Sequence, residues 1–253
     1  MEQTVNRIKK STILLAGAVA GVAAYALFVR PHHMVWGSTW RERSRIWLGD
    51  ELMPKPLSQA TRSLTIDAPA DCVWRWIAQL GQDRGGFYSY TPLENLLGCE
   101  MKNADEIHPE WQDRAVGDKV WLTTPTKYDG SAHMIVARWV PGKCLVLVTP
   151  QDWNEIHLGN PALYTVWSLI VEPVSPTTSR LIARSLAGSG HSNREKIINY
   201  AFWEPAHFIM ERAMMLGIKE RAEKENSASL PRQIFQTTKI AAEAARQLHK
   251  TWA

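Results

Sequence analysis

The sequence predicts an α+β domain in which a curved antiparallel β-sheet wraps a long C-terminal helix, behind an N-terminal transmembrane helix. Three observations carry that expectation. Short apolar runs separated by tight turn signals fill the middle of the chain, so the strands they form should pair antiparallel. Ser192 and Glu195 make an S-x-x-E capping box that opens a long helical region. Ser11 to Val29 holds 19 consecutive residues without a charge.

That run would be about 28 Å long as a helix, close to the ~30 Å hydrocarbon core of a bilayer. It is apolar all round, where a core helix would show a polar face, so residues 1–30 are expected to form a single-pass membrane anchor. A cleavable signal peptide is the rival, with Ala24-Tyr25-Ala26 as a small-x-small site. Arg7, Lys9 and Lys10 precede the run, and Arg30, Arg41, Arg43 and Arg45 follow it. The charge rule therefore leaves the side of the soluble domain open. Gly17 and Gly21 form a GxxxG, which in an alanine-rich helix reads first as small-residue composition. Residues 31–60 read as a connector, whose Trp36, Trp40 and Trp47 suit either the lipid headgroup level or packing on the domain.

The domain proper is expected over 61–226. Thr61 to Ile66 reads as a strand, and Ala68-Pro69 breaks it. Ala70 to Leu80 follows as a helix with Val73, Trp76, Ile77 and Leu80 in an apolar stripe, ended by Gly81. In Arg84 to Trp111 the Gly85-Gly86 pair frees the backbone ahead of Phe87, Tyr88 and Tyr90. A short helix is predicted from Thr91 to Leu97. Aromatic rings with polar tips beside carboxylates suit a pocket wall, although the same rings also suit a filled core.

Strands follow at Lys119 to Thr124, His133 to Val140, Cys144 to Thr149, Tyr164 to Val171 and Ser179 to Ala187. Asp129-Gly130 and Pro141-Gly142 mark turns between them, and a polar loop carries Trp153 and His157. Ile198, Phe202, Ile209, Ala213 and Leu216 give the long helical region an apolar face, with Pro205 placed to kink or divide it. Glu225 to Pro231 is expected to end this region. Gln233 to His249 then reads as an accessory amphipathic helix within 227–253. A sheet with one apolar face, covered by one long helix, leaves a cavity between them.

Composition narrows the function. Twelve tryptophans in 253 residues exceed what a minimal core needs and suit an aromatic-lined interior. The net charge is +4 with mixed signs and no basic run alternating with aromatics, which argues against nucleic acid as a partner. Cys72, Cys99 and Cys144 form no CxxC or His-spaced set, so neither a zinc site nor a disulfide framework is signalled. There is no nucleophile elbow, phosphate-cradling loop or dinucleotide fingerprint, and no cofactor is expected.

Three blocks, GGFYSYTPLENLLG (85–98), ADEIHPEWQDRAVGD (104–118) and EPAHFIMERAMMLGIKERAE (204–223), resemble bacterial SRPBCC proteins. These belong to the START-like, birch-pollen-allergen-like superfamily, of polyketide cyclase/dehydrase and lipid-transport type, here in a membrane-anchored branch. The resemblance covers Thr61 to Glu223. It implies a helix-grip fold and a cavity for a hydrophobic or aromatic small molecule, carried in some relatives and cyclised or dehydrated in others. It brings no established catalytic set, and one fold hosts many activities.

Three constellations in the residues themselves suit acid–base or ligand-orienting work. Tyr88, Tyr90 and Glu94 form one, His108, Glu110 and Trp111 a second, and Glu204 with His207 a third. The expected ligand-binding residues are accordingly Tyr88, Tyr90, Glu94, His108, Trp111, Glu204 and His207. Glu204 and His207 have metal-like spacing, but without a third ligand nearby no metal is expected. The leading reading is membrane-tethered binding or transfer of a hydrophobic small molecule (a lipid, sterol or polyketide-like compound). The alternatives are a cyclase or dehydratase in the same pocket, and an interaction module with a filled cavity.

Overall fold

The computed structural model describes residues 17, 20–90, 95, 99–190 and 192–251, with only the backbone of Ala201 and of residues 229–251. It is an α+β helix-grip arrangement. Six strands form one antiparallel sheet in the order β1-β6-β5-β4-β3-β2. They are β1 (Ser58–Ile66), β2 (Lys119–Trp121), β3 (His133–Val140), β4 (Cys144–Val148), β5 (Thr165–Ser175) and β6 (Thr178–Ala187). Consecutive strands from β2 to β6 pair antiparallel, β4 reaching β5 through the helix Pro150–His157, and β6 then pairs with β1, Arg62 opposite Ala183. A register shift between Val136 and Arg138 and another between Pro173 and Ser175 bend the sheet.

The helices are α1 (Arg30–Met34), α2 (Trp40–Ser44), α3 (Ala70–Ala78), α4 (Pro150–His157), α5 (Asn193–Ile198) and α6 (Glu204–Thr251). The predicted capping box is present: the Ser192 hydroxyl accepts from the Glu195 amide while the Glu195 carboxylate accepts from the Ser192 amide. A π-turn, Asn199–Trp203, joins α5 to α6, and a second, Tyr25–Val29, precedes α1.

Both faces of the sheet are buried, where the sequence reading expected one. Leu145, Leu147, Trp167, Leu169 and Leu181 point to a core closed by α3 and by Met214, Met215 and Ile218 of α6. The alternate residues Cys144, Val146, Val148, Ile170 and Ile182 point to a second core with Trp47, Leu52 and Met53. Within the stretch 31–60, residues 47–53 therefore cover the sheet's outer face. Trp36 packs against the main core, Trp47 is buried in the second, and Trp40 alone of the three stands out in solvent. A strand between two cores has no polar face to show, which is why CLVLV of β4 is apolar throughout.

Two further expectations change. The region around Trp153 and His157 is a helix, α4, with Thr149 accepting from the Asp152 amide at its N-terminus and Pro150 in its first turn. The break expected at Glu225 to Pro231 does not occur, because α6 runs unbroken for 48 residues. Of the N-terminal segment expected to span a membrane, residues 11–16, 18 and 19 lie outside the described residues. Among the described residues no helix is long and apolar enough to cross a membrane.

Candidate functional site

A cavity of about 570 Å³ opens between the β1–β6 edge of the sheet and the helical run from α5 into α6, with α1 along one side. Met34, Leu57, Ala60, Leu186 and Trp203 supply apolar wall; Arg30, Arg62, Ser185, Lys196, Glu204 and His207 supply the polar groups. Its size falls within the ~300–1,000 Å³ typical of small-molecule sites.

Two prolines place its most polar wall. Pro205 has no N–H to return to the carbonyl of residue 201, and the π-turn Asn199–Trp203 lies immediately upstream of Glu204. Pro31 stands in the same relation to the π-turn Tyr25–Val29 and Arg30. The two turns meet, Tyr25 against the edge of Tyr200 at 5.6 Å. Arg30 then donates to both carboxylate oxygens of Glu204, from Nε at 2.8 Å and from Nη2 at 2.9 Å. The Tyr25 hydroxyl reaches Glu204 at 3.3 Å and His33 Nε2 at 2.8 Å. Burial, and then the nearby Arg62 charge, hold His33 below its ordinary pKa.

The floor is a second ion pair. Arg62 and Glu211, 149 residues apart, meet at 2.5 Å with each side chain only 1% exposed. Arg62 Nε also donates to the His33 carbonyl at 2.7 Å, and its guanidinium lies over the Phe208 ring. Glu211 accepts from the Trp167 indole at 2.7 Å. Burial pushes the Glu211 carboxyl upward, but the charges of Arg62 and His207 and the hydrogen bonds they form outweigh it and hold the group at about 2. A permanent carboxylate therefore sits beneath His207, whose Nε2 lies 3.3 Å from Glu211 and 3.4 Å from the Ser185 hydroxyl. Serine and carboxylate share one imidazole nitrogen. A nucleophilic relay needs them on opposite nitrogens, so this is not a serine–histidine–acid triad.

Of the described residues expected in the site, Glu204 and His207 line this cavity, whereas Tyr88, Tyr90, His108 and Trp111 do not. Tyr88 is 3% exposed and fills core, edge-on to Trp76 and beneath the Arg221 guanidinium. Its carbonyl abuts Gly217, which lies about 15 Å along the helix from His207 at ~1.5 Å per residue. Tyr90 is 48% exposed. His108 and Trp111 pack with tilted rings on each other near the surface, with Glu110 bonded to the imidazole. Glu94, like the helix expected from Thr91 to Leu97 apart from Asn95, lies outside the described residues. Gly86, at φ +76°, turns Phe87 and Tyr88 inward, so the aromatic segment builds core beneath α6 rather than cavity wall.

Neither a family model nor a curated protein sequence matches the chain. Solved structures do. A polyketide-cyclase-like protein of Corynebacterium glutamicum is 18% identical, with 68% of this chain covering 95% of that one at a TM-score of 0.35. CalC of Micromonospora echinospora, described as a self-sacrificing resistance protein, is 9% identical over 66% and 96%, at 0.38. The di-domain ARO/CYC protein BexL is 16% identical over 66% of this chain and 47% of its own, at 0.37. What this chain binds has to be argued from its own residues.

Most of the cavity lining escaped the sequence reading, including Arg30, Arg62 and Tyr200, and so did Glu211 buried behind it. Two of them left a signal. Arg62 is a charged residue inside a buried strand, which requires a partner. Glu211 follows His207 by four residues and so shares its helix face. Among the described residues no group of three or more His, Cys, Asp or Glu gathers as a metal site would need.

Proposed function

We propose that this protein binds or transfers a hydrophobic small molecule of lipid, sterol or polyketide-like character in the cavity between β1, β6 and the α5–α6 run. Residues 11–29 would tether it to a membrane. The observation that carries this reading is the cavity itself, apolar along Met34, Leu57, Leu186 and Trp203 and polar at Arg30, Glu204 and His207. An amphiphilic ligand gains about 25 cal/mol per Å² of apolar surface buried, before ordering costs, and its polar end finds charge-assisted partners. Uptake of a polarity-sensitive naphthylamine dye tests the reading. Binding should be saturable and lost in Ala60→Phe, which fills the cavity from β1, while the fold survives. Dye uptake unchanged in that variant would refute it.

A cyclase or dehydratase is the second reading, favoured by one observation. His207 faces the cavity with a carboxylate held ionised 3.3 Å behind it, which suits an imidazole taking up a proton. It requires His207→Gln to abolish turnover of a bound polyketide while dye binding persists. Equal loss of both would make His207 a binding residue.

A further inference from the structure

The mouth of the cavity carries apolar side chains that nothing in the described chain covers. Leu27 and Phe28, on the first π-turn, are 69% and 71% exposed. Across from them Ile197, Ile198, Phe202 and Trp203 are 69%, 42%, 59% and 55% exposed. The Tyr25–Tyr200 contact and the Arg30–Glu204 pair join the two sides. Phe202 and Trp203 pack on each other at 5.0 Å, and Trp203 also lines the cavity. Single exposed apolar residues are ordinary, but six on the two joined π-turns and the end of α5, next to the cavity residues Arg30, Tyr200 and Trp203, form a patch that marks an interaction surface.

We propose that this rim docks on the surface of a lipid bilayer, so that the cavity opens among the headgroups and exchanges its ligand directly with the membrane. The proposal rests on the ligand-binding reading above and adds the route of entry. Two further observations select a bilayer. The uncharged run Ser11 to Val29 ends on this rim, and the next residue, Arg30, lines the cavity. A segment of that composition residing in a bilayer sets the opening within about a turn of the headgroups. The rim's polar residues also match an interface. Arg30 and Lys196 line the same cavity wall as Trp203, which packs on Phe202, the mixture of cations and aromatic rings that settles at headgroup level. The local carboxylates are already engaged, Glu195 in the capping box and Glu204 with Arg30.

Spin labels at Ile198→Cys and Phe202→Cys test this, in full-length protein with the native cysteines replaced. A label at Leu158→Cys, a site 75% exposed just after α4, serves as the reference. The protein is placed in vesicles of phosphatidylcholine and phosphatidylglycerol, and relaxation by oxygen is compared with relaxation by an aqueous nickel complex. The expected result is preferential oxygen contact at residues 198 and 202 and preferential nickel contact at 158. Equal nickel contact at all three sites would overturn the proposal. So would labels at 198 and 202 shielded from both reagents with dipolar broadening between chains, which would assign the rim to a second copy. The double change Ile198→Ser/Phe202→Ser, at rim residues outside the cavity lining and without new cysteines, should slow dye extraction from the same vesicles several-fold at unchanged melting temperature; unchanged extraction would count against docking. Organic extraction separates the two readings. A bound ligand with a wet rim refutes docking alone, and an inserted rim with an empty cavity refutes ligand binding alone.

Discussion

Arg30 and Glu204, 174 residues apart, each follow a π-turn and precede a proline, and they close a two-bonded ion pair at the wall of the cavity. Each π-turn places its charged residue where a regular α-helix, with one residue fewer per turn, would have rotated it away. The pair also fixes the N-terminal segment against α6, so cavity and chain entry are built by one contact.

A double-mutant cycle with Arg30→Met and Glu204→Gln should give a coupling energy of about 1 kcal/mol, the upper end for a partly exposed pair with good geometry. In a Pro205→Ala background the missing N–H is restored and the π-turn can relax. The coupling should then fall toward zero, as measured by urea unfolding.

The pair at the floor should cost far more to break. Glu211→Gln leaves the Arg62 guanidinium buried without its counter-charge, an expected loss of about 3–5 kcal/mol. Replacing both partners, as Arg62→Met with Glu211→Leu, should lose much less. Urea midpoints of the three variants check this.

How far the sequence disclosed the fold depended on where each signal lay. Turns such as Pro141-Gly142 and the Ser192 capping box are local, and they placed the strands of the sheet and the start of the long helical run. The second core was overlooked although CLVLV lacks any polar alternation, because its cover, Trp47, Leu52 and Met53, lies in a stretch with no regular period. Glu204 and His207 could be paired from spacing on one helix. Arg62 could not be joined to Glu211, since the chain brings them together only on folding. Tyr88 shows the opposite failure: aromatic rings beside carboxylates describe core as well as pocket, and local composition does not distinguish them.

Packing of that tyrosine gives a substitution test. A Cβ at Gly217 would collide with the Tyr88 carbonyl oxygen and lie 2.9 Å from Tyr88 Cβ. Alanine gains up to about 1 kcal/mol in helix propensity, against ~1–3 kcal/mol or more for a backbone clash. Gly217→Ala should therefore lower stability by about 1–2 kcal/mol, seen as a reduced melting temperature. A stabilised variant would mean that α6 does not press on Tyr88.

Acid should destabilise the protein in two stages. His33 has a folded pKa below its ordinary 6.5, so the unfolded chain takes up the proton first and stability falls as pH drops below 6.5. Glu211 sits at about 2 against an ordinary 4.5, so its contribution is fully present above 4.5 and is lost as pH falls toward 2. Glu42, also at about 2, adds to the second stage. Burial raises its carboxyl, but bonds from Arg180 and Thr39 outweigh this. Urea midpoints measured across this range should show both declines, and His33→Gln should remove only the first.

Whether the cavity holds a ligand is read by native mass spectrometry with organic extraction on protein purified gently from membranes. The expected result is one hydrophobic molecule per chain, carrying a polar end and absent from Ala60→Phe. A bare chain mass, with nothing extracted and no uptake of added membrane lipid, would contradict it.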